Sequence, residues 1–233
     1  MCPLAARGAP QSIGHLPRRY DRYSELAGAE LHAWLLFHLP ARADRALDAG
    51  CGTGLHTELL ADRCDDVLAV DISTPMLTHA CRHRPRSNVR YLLRDLHDIS
   101  PAADGRFDVV LSAYTLHHVP DLPATLWHLR GLTHPGGTVL LVDVVDDRRS
   151  LPRAWLRSEA WRTFRADLVR RRRPVAEAAE LLRLSLDSDW LDHQATDRLL
   201  PGHEWDAITR DTFPGANIAQ LSRARALHWR RPE

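Results

Sequence analysis

The stretch Leu47–Leu60, LDAGCGTGLHTELL, places glycines at 50, 52 and 54 between a short apolar run and a segment with helical spacing. Glycine has no Cβ and tolerates positive φ, so such a loop lets backbone approach a ligand closely. Working outward, the chain alternates from about residue 45. RALDA (45–49) reads as a strand, followed by a helix from about Leu55 to Arg63. VLAVD (67–71) reads as a strand, then TPMLTHACRH as a helix opened by Thr74 and Pro75. VRYLL (89–93) and FDVVLSA (107–113) are further strands, a helix spans roughly 121–133, and HPGG leads into TVLLVDVV (138–145). Strands alternating with crossover helices imply a parallel sheet. Residues 25–39 read as an amphipathic helix after an irregular start, residues 150–212 as helical and rich in Arg and Trp, and the C-terminal ANIAQLSR and RALHWRR as a hairpin.

Bulk numbers exclude several chemistries. The 233 residues carry a formal net charge of +1, with 31 basic against 30 acidic residues, which argues against nucleic acid and membrane surfaces as partners. Every basic residue is Arg; without Lys there is no lysine Schiff base and no P-loop lysine. The run RRRR at 170–173 lacks interleaved aromatics and reads as a solvated helix end. Cys2, Cys51, Cys64 and Cys81 form no CxxC pair and no zinc-ligand spacing, so no metal is expected and a reducing cytoplasm is the simplest setting. ELHAWLLFHL is too short and polar to span a bilayer.

In an open α/β sheet the ligand binds at the carboxyl ends of the strands. The loop Asp48–Gly54 follows the first strand and Asp71 ends the second, where a carboxylate can accept both hydroxyls of a ribose. That geometry also suits NAD, but the dinucleotide fingerprint requires glycine or alanine at position 55, where Leu55 stands.

With LDAGCGTG, LAVDIS, LLRDLHDI, FDVVLSAYTLHHVPD and LTHPGGTVLLVDVV in order over residues 43–145, the chain resembles class I S-adenosylmethionine-dependent methyltransferases, in particular bacterial sugar and natural-product enzymes. The resemblance implies a Rossmann-like α/β fold, a seven-stranded, mostly parallel sheet with one antiparallel C-terminal strand, helices on both faces and a helical lid. It assigns the methionine half of the cofactor to Asp48, Gly50, Cys51, Gly52 and Gly54, the ribose to Asp71 and Ile72, and the adenine to Asp95 and Leu96, with Ser112 lining the site and Tyr20 in a segment folding over it. It makes His117 a general base oriented by Asp143, with His118 as a neighbour on the substrate side. Trp190, His193 and Asp197, at i, i+3 and i+7, would share a helix face and line a substrate pocket; a packed helix with a surface His193–Asp197 pair is the alternative. His203 and Trp205 are weaker candidates of the same kind, and Tyr23 accompanies Tyr20.

The chain is expected to form one domain over 1–233: an N-terminal helical cap (1–40), a cofactor-binding core (41–147), a lid (148–212) and a C-terminal hairpin (213–233), as monomer or homodimer. The expected reaction is methyl transfer to a hydroxyl, or secondarily an amine, of a small metabolite in bacterial secondary metabolism. An RNA methyltransferase and a cofactor-binding cyclase that transfers no methyl stay open.

Overall fold

A computed structural model describes residues 16–148, 150–170 and 172–233. Residues 1–15 of the expected cap, with Arg149 and Arg171 of the expected lid and arginine run, lie outside the described residues. Seven strands, β1 Ala43–Ala49, β2 Cys64–Asp71, β3 Val89–Leu93, β4 Phe107–Ala113, β5 Thr133–Val144, β6 Asn217–Leu221 and β7 Ala224–Arg230, form one sheet in the order β3-β2-β1-β4-β5-β7-β6. The first five run parallel; β7 is antiparallel to both of its neighbours, β5 and β6, and is the one reversed strand. The chain order reverses beside β1, between β2 and β4, so the carboxyl end of β1 sits at the switch point.

Strand residues alternate between two cores, as the pleat dictates. Leu47, Ala49, Leu68, Val70, Val110, Val139 and Leu141 face one helix layer. Ala46, Val67, Val109, Leu111, Leu140 and Val142 face the other. The helices are α1 Pro17–Ala27, α2 Ala29–His38, α3 Thr57–Ala61, α4 Thr74–His83, α5 Pro101–Asp104, α6 Leu122–Leu132, α7 Arg153–Arg170, α8 Val175–Ser185, α9 Ser188–Thr196 and α10 Gly202–Thr212. Among these, α2 buries Leu31, Trp34 and Leu35, at i, i+3 and i+4, and α6 buries Leu126, Leu129 and Leu132.

Several boundaries differ from the sequence reading. The segment before residue 25 is helical: α1 and α2 are separate helices joined at Gly28, where a Cβ would stand 2.4 Å from the Ser24 carbonyl oxygen. The α4 cap is Ser73, whose Oγ accepts the Met76 N–H, so Thr74 and Pro75 are the first two helical residues. Strand β5 starts at Thr133, paired with Phe107, before the register shifts at HPGG. Helix α10 is not lid: Trp205, 1% exposed, sits in the sheet's main core with Phe213 and Leu129, while His203 is exposed. Among the described residues no helix is long and apolar enough to cross a membrane.

Candidate active site

At the carboxyl ends of β1, β2, β4 and β5 lies a cavity of about 800 Å³, walled on the other side by α1, α7, α8 and α9. The glycine loop forms its floor. Gly50 has φ +81° and a Cβ there would lie 2.2 Å from Thr115 Oγ1, so the loop is pressed against the segment after β4. Gly52 lines the cavity, with Tyr20 the nearest side chain, 3.9 Å from where a Cβ would be. Gly54 serves packing: it faces away from the cavity, and its Cβ position is 2.7 Å from the Tyr91 hydroxyl. Ser112 likewise departs from expectation. It is fully buried inside β4 and donates to the Ala49 carbonyl at 2.8 Å, so it fixes the β1 end and does not line the cavity.

Asp71, 7% exposed, accepts the Gly52 N–H on one oxygen and the Ser73 N–H on the other, both at 2.8 Å. Burial raises its pKa, and these backbone donors, with Ile72's, counter that rise. With three backbone donors on its oxygens, the carboxylate keeps acceptor capacity for a further donor. Asp48 accepts from Thr57 Oγ1 at 2.6 Å, and burial lifts its carboxyl to about 7. Cys51, Ile72, Asp95, Leu96 and Tyr20 also line the cavity. The Asp95 side chain is about half exposed and caps the following turn through the His97 N–H. Over this floor α1 is clamped by buried Asp21, which accepts from Thr53 Oγ1 at 2.7 Å and pairs with Arg84 at 2.8 Å and with His79 at 3.2 Å.

The histidines gather on one wall. His117 Nδ1 lies 2.6 Å from Asp143 Oδ1, with side chains 7% and 3% exposed. Asp143 stands behind His117, on β5, and does not itself line the cavity. Desolvation pulls the His117 pKa down, but the Asp143 carboxylate and its hydrogen bond more than reverse this, leaving it above the ordinary value. His118, nearer the rim, is 3.9 Å away between ring centroids, and His193 lies 5.6 Å beyond it. Burial, and then the positive His117, push His193 down to about 4. His118 is lowered in the same way by desolvation and by both neighbours. The cluster therefore concentrates its proton on His117, the imidazole backed by a carboxylate.

Trp190, His193 and Asp197 all line the cavity, though not as one helix face. Helix α9 ends at Thr196, and Asp197 is extended, with φ −62° and ψ 135°. Its carboxylate still returns to within 3.7 Å of His193 Nδ1, as a buried pair and not a surface one. Burial lifts Asp197 to about 6. Tyr20 and Tyr23 pack on Trp190 at 6.1 and 4.3 Å between ring centroids. In the arginine run, Arg173 turns inward, its Nε 2.8 Å from buried Asp167. Sequence reasoning missed the Asp21 clamp, Thr115, and Tyr114, which lines the cavity at φ +57°.

Residues 47–141 match the family model described as a methyltransferase domain. An uncharacterized methyltransferase of Mycobacterium tuberculosis strain H37Rv is 31% identical over 198 residues, which cover 83% of this chain and 90% of that protein. The chain belongs to this methyltransferase family. The methyltransferase is also 30% identical to the demethylmenaquinone methyltransferase of Beutenbergia cavernae, across 90% of this chain and 87% of that one. It shares its fold with an S-adenosylmethionine-dependent methyltransferase of Mesorhizobium loti, at a TM-score of 0.59 and 18% identity over 88% of this chain and 100% of the other. Its cofactor is S-adenosylmethionine. The floor fits that molecule: Gly52 leaves room for a main-chain approach, and the Asp71 oxygens retain acceptor capacity for a diol.

The depressed His193 couples the methyltransferase's stability to pH with a definite sign. Between pH 6.5 and about 4 the unfolded imidazole takes up a proton that the folded one refuses, so stability falls as pH falls. His193→Gln removes this linkage. Relative to wild type, the variant gains at most about 1.4 kcal/mol per pH unit over that window. Urea denaturation midpoints at pH 7 and pH 5.5 measure the difference; an unchanged difference between the two proteins means that His193 titrates normally in the folded state.

Proposed function

We propose that this methyltransferase methylates a hydroxyl of a small, partly apolar metabolite in bacterial secondary metabolism, with His117 as general base and Asp143 as the residue that orients it. The observation that carries this reading is the 2.6 Å His117–Asp143 bond. With Nδ1 committed to the carboxylate, Nε2 is the ring nitrogen left for an acceptor proton, and His117 lines the cavity.

S-adenosylmethionine supplies, when bound, an electrophilic methyl group on a sulfonium whose leaving thioether is neutral. The work left to the chain is positioning, exclusion of water and removal of the hydroxyl proton. Asp71 and the loop Asp48–Gly52 hold the donor at the switch point. Asp95, Leu96 and Ile72 take the adenosyl end. Tyr20, Trp190, His193 and Asp197 bound the acceptor, on helices that act as the lid. His117 Nε2 would receive the acceptor's hydroxyl proton, and Asp143 would stabilise the resulting imidazolium. An amine acceptor arriving neutral would not need this pair, which is why the hydroxyl comes first. The near-balanced charge disfavours an RNA substrate. The chain works as a monomer or homodimer in the cytoplasm.

Incubation with methyl-labelled cofactor and a panel of phenols, alcohols and amines, read by mass spectrometry, tests the acceptor. Turnover on a hydroxyl should rise with pH through a single ionisation above 6.5, because the base must be neutral and Asp143 favours its protonated form. Labelled products confined to amines would overturn the reading.

A further inference from the structure

The cavity wall also carries groups that methyl transfer does not use. Three side chains reach it from three separate elements: Tyr23 from α1, Arg173 from the segment between α7 and α8, and Arg223 from the turn between β6 and β7. We propose that the acceptor is an organic acid whose carboxylate is held by Arg223, Arg173 and the Tyr23 hydroxyl while its hydroxyl faces His117. This rests on the hydroxyl-methylating reading of the same cavity and adds the acceptor's second functional group.

Arg223 Nε is buried and has no hydrogen-bond partner. Its nearest carboxylate, Asp146, lies 3.4 Å from one terminal nitrogen. Both Asp146 oxygens are closer to Arg148, at 3.0 and 3.1 Å, so one carboxylate serves two arginines. A buried charged donor without an acceptor is costly, and a ligand carboxylate supplies the acceptor. Arg173 is held on two sides, by Asp167 at 2.8 Å and by the Leu26 carbonyl. These contacts fix its guanidinium at the cavity wall and commit one terminal nitrogen, while its buried Nε, ion-paired with Asp167, has no hydrogen-bond partner.

Arg173 and Arg223 line the same cavity as Tyr23, and Leu26, whose carbonyl accepts from Arg173, lies one turn from Tyr23 on α1. Burial raises the Tyr23 phenol, and Arg223 and Arg173 are the charges that offset it. The cavity is thus lined by two arginines, each beside a carboxylate, as well as by the histidines. Tyr23, Trp190, Phe164 and Leu181 give the cavity an apolar, largely aromatic wall, and Trp190 packs on both Tyr23 and His193, at 4.3 and 5.6 Å between ring centroids. That wall suits an aryl or alkyl spacer.

Binding can be read without turnover. With the enzyme saturated with S-adenosylhomocysteine, calorimetry compares 3-phenylpropionate with its amide, 3-phenylpropanamide, which has the same shape and no charge. The acid should bind about tenfold or more tightly, as expected for charge-assisted hydrogen bonds. Arg223→Gln should abolish that preference, Arg223→Lys should keep part of it, and Tyr23→Phe should reduce it. Affinity for S-adenosylhomocysteine should stay unchanged in all three. Equal binding of acid and amide, no binding of either, or a preference that survives Arg223→Gln would overturn the carboxylate site. His117→Ala should keep the preference, so a failure of the base assignment shows in turnover alone and leaves this result standing.

Discussion

His117→Ala lowers kcat by about 10²–10⁴-fold, the usual contribution of a positioned general base, while S-adenosylmethionine binds as in wild type. The separation is expected because His117 stands on the wall after β4, and the donors that hold the cofactor loop together, Gly52 and Ser73 to Asp71 and Thr57 to Asp48, do not involve it. Asp143→Asn has a smaller effect. The imidazole remains, but it loses the carboxylate that outweighs its desolvation, so its pKa falls and the alkaline-shifted limb of the rate profile moves to lower pH. A merely structural Asp143 would reduce kcat without moving that limb. If His117→Ala retained most of kcat with an unchanged profile, positioning alone would drive transfer. The acceptor would then be a neutral amine, or His193 would be the base.

How far the sequence carried depends on whether a signal was local. The strands β3 and β4 were readable to the residue because each begins just after turn-forming residues, Ser87 and Asn88 before β3 and Gly105 before β4. Strand β5 was not: its first turn of chain, THPGG, contains strand-breaking residues, and only the pairing of Thr133 with Phe107 across a register shift makes it strand. Helix α1 was missed because its local composition is polar. It is fixed by partners far along the chain: Thr53, His79 and Arg84 for Asp21, and Glu180 for Arg22. The same limit explains the site. His117 and Asp143 are close because β4 and β5 are neighbours in register, which the order of motifs implies. Ser112 and Gly54 sat in the right motifs, yet the pleat and the loop's curvature turn one into the β1–β4 contact and the other onto Tyr91. Asp197 reached its predicted neighbourhood by a different route, as the extended residue that ends α9.

Asp71→Ala weakens S-adenosylmethionine binding by about 2–4 kcal/mol, the cost of two charge-assisted hydrogen bonds to the ribose diol. Calorimetry measures it directly. The structure adds a second cause to the loss of contacts. The carboxylate already ties the Gly52 N–H to the Ser73 N–H, so it joins the glycine loop after β1 to the entry of α4. Alanine leaves both donors without their acceptor at a nearly buried position, and the loop must order itself when the cofactor arrives. Asp71→Asn separates the two causes. Its amide oxygen can keep one of the backbone donors, but the charge is gone, so affinity falls by an intermediate amount. Unchanged cofactor affinity in a folded Asp71→Ala protein would remove this residue from the site. NAD offered to the wild type should not bind, since Leu55 occupies the position where its pyrophosphate loop requires glycine or alanine.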